Sequence, residues 1–316
     1  MKRFLSALFI LAIWPVFALH SQEAKKRLTV ELLSQEGALM SSGVRRVEWH
    51  PGTHEISYVR RKGAATTLWI YDIETQTERP LLSATGDNAK LSLSSYQWSP
   101  KGDALLLQGE HDLWLFDVQS GQKRRLTEDP EEKEVATFSP TGDHIAFVKQ
   151  NNLFALDVKT GSTRKLTEDG SEDVLNGKFD WVYEEELAFR GAGGAYEWSP
   201  DGRKIAYLRL DDRPVPQYPL TGYLQVHAGL FRQRFPQPGD ANPLPSLHVV
   251  SVEGGEQQSW SPSAKSAEYF GPTFSWTPDS SAASFLTLNR AQNELTVHLW
   301  EPATGSERAL MMEKDP

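Results

Sequence analysis

The sequence predicts an all-β fold, a β-propeller of four-stranded WD40-like blades, and three observations carry that expectation. An aromatic-x-Pro-x-Gly-x-x-apolar-x-apolar pattern recurs. It reads WHPGTHEISYV from Trp49, WSPKGDALLLQ from Trp98, FSPTGDHIAFV from Phe138, WSPDGRKIAYL from Trp198 and WTPDSSAASFL from Trp276. A second element follows: LWIYDIETQT around Asp72, LWLFDVQSGQ around Asp117, LFALDVKTGS around Asp157, LHVVSVEGGE at Ser251 and VHLWEPATGS at Glu301. Copies two and three even share their tails, RRLTED from Arg124 and RKLTED from Arg164, 40 residues apart.

Each unit has a physical reading. Proline presets one dihedral of a tight turn and glycine accepts the left-handed one. Alternating apolar residues on either side give half-buried strands. A second turn falls at Asp-x-x-(Ser/Thr)-Gly, again with a strand on each side. Four short strands in a unit of about 40 residues make a propeller blade, and about five to six blades are visible. Separate small sheets in tandem are excluded, because a lone four-stranded sheet leaves a whole apolar face in water. The aromatic residue before each turn is expected to pack between blades.

Along the chain, Lys2 and Arg3 precede FLSALFILAIWPVFA, an apolar run of 15 residues that is short for a membrane span. With small residues at Val16 and Ala18, residues 1–18 read as a secretory signal peptide and 19–43 as a lead-in; an uncleaved anchor is the alternative. The expected location is secreted or periplasmic, with no membrane association once the signal is removed. Residues 44–316 form the repeat array. An apolar fraction of 39% with ten Trp suits a packed core. A net charge of −9 without a basic stripe speaks against nucleic acid as a partner. With no cysteine there are no disulfides, thiol nucleophiles or Cys-based zinc sites.

The turn motifs are spaced 49, 40, 60 and 78 residues apart, which locates two insertions, residues 170–196 and 211–245. Insertions on a repeat scaffold tend to gather on one face, and that face often binds. The first insertion contains Trp181-Val182-Tyr183-Glu184-Glu185-Glu186. Asp180 is a suitable N-cap for a short helix whose first turns hold the acids. Two readings stay open for them. In one, the carboxylates are solvated on a helix surface. In the other, a pair converges on a single ammonium group, whose three donors and one charge match two carboxylates.

Other chemistry finds little support. His50 and His54 lie four apart across a turn with no third ligand in view, so no metal site is expected. Asp211 and Asp212 open the second insertion and read as solvated. There is no phosphate loop and no dinucleotide fingerprint, so no cofactor is expected.

The stretches FDWVYEEELAF, AYEWSPDGRKIAYLRLDDRPVPQYPL and RQRFPQPGDANP together resemble the propeller of dipeptidyl peptidase IV and its bacterial relatives in the prolyl oligopeptidase superfamily. The resemblance runs from about Arg27 to the C-terminus. It implies an eight-bladed propeller, of which this chain would hold an incomplete part. It also implies a double-Glu motif, matched by Glu185 and Glu186, that grips the free N-terminal amine of a peptide. Glu184 is then a surface acid, and Trp181 and Tyr183 fix the helix. The family's catalytic α/β-hydrolase domain, with Ser, Asp and His, has no counterpart: no Gly-x-Ser-x-Gly elbow occurs. The family's carbonyl-binding arginine is likewise missing from LLLQGEHDLWLF, which offers Gln108, Glu110 and His111.

Three expectations compete. The chain is the N-terminal portion of a serine exopeptidase, inactive alone and partnered by a separately encoded hydrolase domain. Alternatively it is a stand-alone periplasmic propeller that binds peptides or proteins. The third reading is a decayed product whose open array exposes apolar sheet faces and edges.

Overall fold

The structure, a computed structural model, describes residues 29–31, 43–62, 65–187, 194–224, 226–262 and 269–316. The chain divides into two compact units, Met1–Gly43 and Val44–Pro316. The expected signal peptide and nearly all of the lead-in lie outside the described residues.

The second unit contains five consecutive antiparallel sheets among the described residues, one for each repeat. Blade one comprises β1 (Val44–Trp49), β2 (Glu55–Lys62), β3 (Ala65–Asp72) and β4 (Thr77–Ser83). Blade two comprises β5 (Leu91–Trp98), β6 (Ala104–Gly109), β7 (Asp112–Asp117) and β8 (Lys123–Arg125). Blade three comprises β9 (Glu134–Phe138), β10 (His144–Lys149), β11 (Asn152–Asp157) and β12 (Thr163–Lys165). Blade four is built from β13 (Val174–Asn176), β14 (Tyr196–Trp198), β15 (Lys204–Asp211), β18 (Leu244–Ser251) and β19 (Gln258–Trp260), and between its long strands runs a separate hairpin, β16 (Gln217–Gly222) with β17 (Gly229–Arg234). Blade five comprises β20 (Tyr269–Trp276), β21 (Ala283–Leu288), β22 (Glu294–Glu301) and β23 (Ser306–Lys314).

The turn chemistry follows the motifs. Asp117 Oδ1 accepts the backbone N–H of Ser120 at 2.7 Å, and Asp157 Oδ1 accepts that of Thr160 at 2.6 Å. This aspartate turn leaves the next residue in the left-handed region, where Gly121 (φ 69°) and Gly161 (φ 74°) sit without strain. In the Pro-x-Gly turns the left-handed place belongs to Gly102, Gly142 and Gly202, and in copy five Ser280 occupies it at φ 60°, its Oγ accepting the N–H of Asp201 at 3.1 Å.

Strand alternation assigns each face to a neighbouring blade. Leu105 and Leu107 of β6 pack with Val59, Leu68 and Ile70 of blade one, whereas Leu106 packs with Phe138, Ile145 and Phe147 of blade three. On β10, Ala146 and Val148 turn the other way, onto Tyr196, Ile205 and Tyr207. On β15, Ala206, Leu208 and Leu210 meet Phe270, Ala283 and Phe285 of blade five. Four cores therefore join five blades in series, each built by a period of two residues.

The aromatic residues before the turns behave as expected in the middle of the array and differ at its start. Trp98, Phe138 and Trp198 are buried, but Trp49 is 67% exposed. Each buried one packs in the core formed with the preceding blade, and blade one has no preceding sheet among the described residues. Trp98 also stacks on His50 at 4.1 Å and donates Nε1–H to Ser57 Oγ at 2.8 Å.

Candidate functional site

The first insertion grows from a weak point common to every blade. The first strand carries a bulge between Arg45 and Glu48 in blade one, Ser92 and Gln97 in blade two, Glu134 and Thr137 in blade three, and Phe270 and Phe274 in blade five. In blade four the same strand is split. β13 pairs with the Arg209–Asp211 end of β15 and β14 with the Ile205–Tyr207 end. Leu208 lies between them, its carbonyl accepting the N–H of Gly177 at 2.9 Å and its N–H donating to Ala195 at 2.8 Å. The ladder is thus sealed at the break, and the intervening chain is free to form something else.

That segment is the acidic helical turn. Asp180 caps it as expected: Oδ1 accepts the N–H of Tyr183 at 3.0 Å and Oδ2 that of Val182 at 3.2 Å. Trp181 and Val182 are helical, and Tyr183–Leu187 continue as one wide π-helical turn. Val182, Tyr183 and Leu187 face inward. Tyr183 is 1% exposed, and its hydroxyl oxygen accepts the N–H of Phe270 at 3.0 Å, tying the turn to blade five. Burial pushes the Tyr183 phenol above its ordinary value. On the outer side, Glu184 and Glu186 are exposed and Glu185 is half-buried. Residues 188–193, which follow, lie outside the described residues.

The second insertion packs against the first. Arg234 of β17 grips Asp173 with Nε and Nη2, both contacts 2.8 Å, and its Nη1 donates to the carbonyl of Val215 at 2.6 Å. The Trp181 and Phe235 rings approach to 4.4 Å between centroids, and Tyr218 adds a third ring at 5.8 Å from Phe235. Trp181, Tyr218, Leu220, Gln233, Phe235 and Gln237 line a cleft of about 390 Å³ next to the acids. Trp181 was expected to fix the helix; it also forms a wall of this cleft. Its other aromatic residues carried a signal in the sequence, a Tyr and a Phe each flanked by Pro in PQYPL and RFPQP, but nothing there indicated which helix they would face.

Asp211 and Asp212 overturn their expected solvation. They are 7% and 5% exposed. Asp211 is held by Arg213, through Nε at 2.7 Å and through Nη2. Burial, with Asp180, Asp173 and Asp211 nearby, pushes Asp212 up to about 7, and Arg234 only partly opposes that shift. Both nitrogens of His50 are engaged, Nδ1 with Glu55 and Nε2 with the carbonyl of Gly102, each at 2.8 Å, whereas His54 is exposed. Glu110 and His111 are exposed in the turn between β6 and β7, and Gln108 donates to the carbonyl of Lys133 at 3.0 Å. Among the described residues no group of three or more His, Cys, Asp or Glu side chains is arranged to hold a metal.

Comparison with known proteins decides the family. The chain matches the family described as "Dipeptidyl peptidase IV (DPP IV) N-terminal region" over residues 52–136 and 130–316. It belongs to that family. A probable dipeptidyl-aminopeptidase B of Talaromyces marneffei is 32% identical over 208 residues, 62% of this chain and 18% of that protein. A second, from Grosmannia clavigera, is 34% identical over 221 residues, 66% of this chain and 19% of that protein. The matched region is therefore under a fifth of these relatives' length. Among solved structures, Porphyromonas gingivalis dipeptidyl peptidase 4 superposes with a TM-score of 0.73 at 24% identity, covering 92% of this chain and 42% of that one. A structure described as a putative dipeptidyl aminopeptidase IV from Bacteroides ovatus gives 0.65 at 18% identity, covering 89% and 39%. Both show the fold, the N-terminal propeller region of the dipeptidyl peptidase IV family. The chain thus spans less than half the length of either solved chain.

Proposed function

We propose that this chain is the substrate-measuring propeller portion of a dipeptidyl peptidase IV-like serine exopeptidase, and that Glu185 and Glu186 bind the N-terminal ammonium of a peptide. The observation that carries this reading is the capped acidic turn, set in the split strand of blade four in a chain of this family. Successive residues of a helix project roughly 100° apart, so the two carboxylates can reach one group lying between them. A primary ammonium has three donors and relieves the repulsion of the pair. The nucleophile and base would come from an α/β-hydrolase domain, acting in the secretory or periplasmic space. The propeller's part is to fix the distance from the amine to the scissile bond.

Calorimetric titration of the chain with the dipeptide Ala-Pro and with its N-acetyl form tests this. Binding of the free amine alone is expected, with each of E185A and E186A weakening it about 10- to 100-fold, the worth of a charged hydrogen bond. Equal binding of the acetylated peptide refutes the assignment. A second reading, a peptide-binding propeller that works without a hydrolase, draws support from the four continuous cores that join the five blades.

A further inference from the structure

Below the acidic turn, five aspartates gather at the roots of the two insertions: Asp169, Asp173, Asp180, Asp211 and Asp212. Three guanidinium groups serve them. Arg209 pairs with Asp169 at 2.7 Å, Arg213 with Asp211, and Arg234 with Asp173 in a two-point contact at 2.8 Å. Asp180 and Asp212, each 5% exposed, are left without a guanidinium of their own. Their situations differ. Burial raises Asp180 above its ordinary value, but both its oxygens accept helix N–H groups, which favour its charged form and oppose that shift. Asp212 Oδ1 is buried with no hydrogen-bond partner, although the Asp212 backbone is fixed at both ends, its N–H donating to Asp173 at 2.8 Å and its carbonyl accepting from Val215 at 2.9 Å.

We infer that Asp212 is a positioning residue for the acidic turn: its uncharged carboxyl allows the neighbouring Asp180 to remain ionised and cap the helix that carries Glu184–Glu186. Two buried carboxylates side by side cannot both ionise cheaply, and the proton goes to the one without donors. The charged groups facing Asp212 are Asp180 from the helix cap, Asp173 from the segment before β13, Asp211 from its own strand and Arg234 from β17, with Glu184 acting on Asp180 from behind. Three of the four direct neighbours are acidic, so burial and repulsion act together and the group titrates at about 7.

The direction follows from linkage. The folded site holds the proton more tightly than the open one, so its stabilisation is complete at low pH and is lost as pH rises through about 7. With an open-state value near 3.9, the closing constant of the seat falls about tenfold between pH 6 and pH 8. The consequence for amine binding rests on the function proposed above; the seat itself does not.

Hydrogen exchange of the peptide covering residues 180–187, in the intact chain and in D212N at pH 6 and pH 8, reads the seat directly. After correction for intrinsic rates, the native chain is expected to lose about tenfold in protection at pH 8, while D212N, neutral throughout, keeps its protection at both. Equal pH dependence in the two proteins overturns the assignment, as does loss of protection in D212N at both pH values. Carboxyl carbon resonances of 13C-labelled aspartate in the native chain give a check that needs no variant: one should titrate near 7, and titration of all below about 5 overturns the inference. Ala-Pro titration separates the two levels. Its affinity should fall more from pH 6 to pH 8 in the native chain than in D212N, the ligand amine being common to both. If neither binds while the exchange result holds, the amine assignment fails and the seat stands.

Discussion

Tyr183→Phe isolates one hydrogen bond between the acidic turn and blade five. The substitution preserves the ring, which is 1% exposed and stacks 6.0 Å from Phe179. It removes only the oxygen that accepts the Phe270 N–H at 3.0 Å. Phe270 is itself 1% exposed and lies at the edge of the bulge that interrupts β20 between Phe270 and Phe274, so the N–H released by the substitution is buried away from water. A buried donor left unsatisfied costs about 1–3 kcal/mol. For a chain of this size 1 kcal/mol corresponds to about 2–4 °C in Tm, so a fall of roughly 2–12 °C is expected. Because a repeat array can unfold in parts, the sharper assay is exchange of the Phe270 amide, which should quicken about 5- to 150-fold, the same energy read as an opening constant. Unchanged exchange at Phe270 together with an unchanged Tm refutes the claim that this hydroxyl fastens the turn.

Further outcomes follow from the same contacts. Trp98→Ala should cost about 3–5 kcal/mol in urea unfolding, whereas Trp49→Ala, at a site 67% exposed, should stay within about 0.5 kcal/mol; equal costs would contradict the open face of blade one. Lys133 is fully buried, with Nζ 3.2 Å from Asp112 and 2.7 Å from Asp129. Lys133→Met leaves Asp112 with Arg125 and Asp129 with Lys149 as their remaining cations, so the loss is that of the buried charged hydrogen bonds, about 3 kcal/mol. Asp129 is held well below its ordinary value, burial being outweighed by Lys133 and its other donors. That stabilisation is complete above pH 4 or so and lost on acidification, so the variant should show a flatter acid limb. Burial, with Arg209 nearby, pushes His248 down to about 4. Its contribution is present above about 6.5 and is lost as pH falls toward 4; His248→Gln should remove that slope from a stability-against-pH series.

The fold was legible because repetition multiplies a weak signal. One WSPDG turn says little, but five copies, each followed by a second motif, fix strand, turn and blade together, and the alternation on β6 and β10 even dictates which blade each side chain meets. The acidic turn and its Asp180 cap were legible for a related reason: capping is local, and Asp180 lies three residues before Tyr183 in chain and in space. The state of Asp211 and Asp212 was not legible. Nothing adjacent to them announces burial, and the charges that face Asp212, those of Asp173, Asp180 and Arg234, come from the first insertion and from the hairpin of the second. The exposure of Trp49 was hidden too, because its motif is identical in kind to that of Trp98 and only the neighbouring sheet distinguishes them.

The two insertions act as one device. The split strand by itself would leave the acidic turn anchored by Tyr183 and by the ladder at Leu208. The hairpin adds Arg234, which neutralises Asp173, and Phe235, which meets Trp181 at 4.4 Å. Arg234→Gln removes the cation that lowers the Asp212 value while leaving the hairpin's backbone pairing intact. The Asp212 proton should then be held more tightly and its titration should move upward from about 7. Asp173, half of a two-point ion pair, should move upward as well. Aspartate resonances that shift in this sense in R234Q would show that the hairpin controls the charge beneath the acidic turn. An unmoved Asp212 resonance would confine the hairpin's role to packing on Trp181.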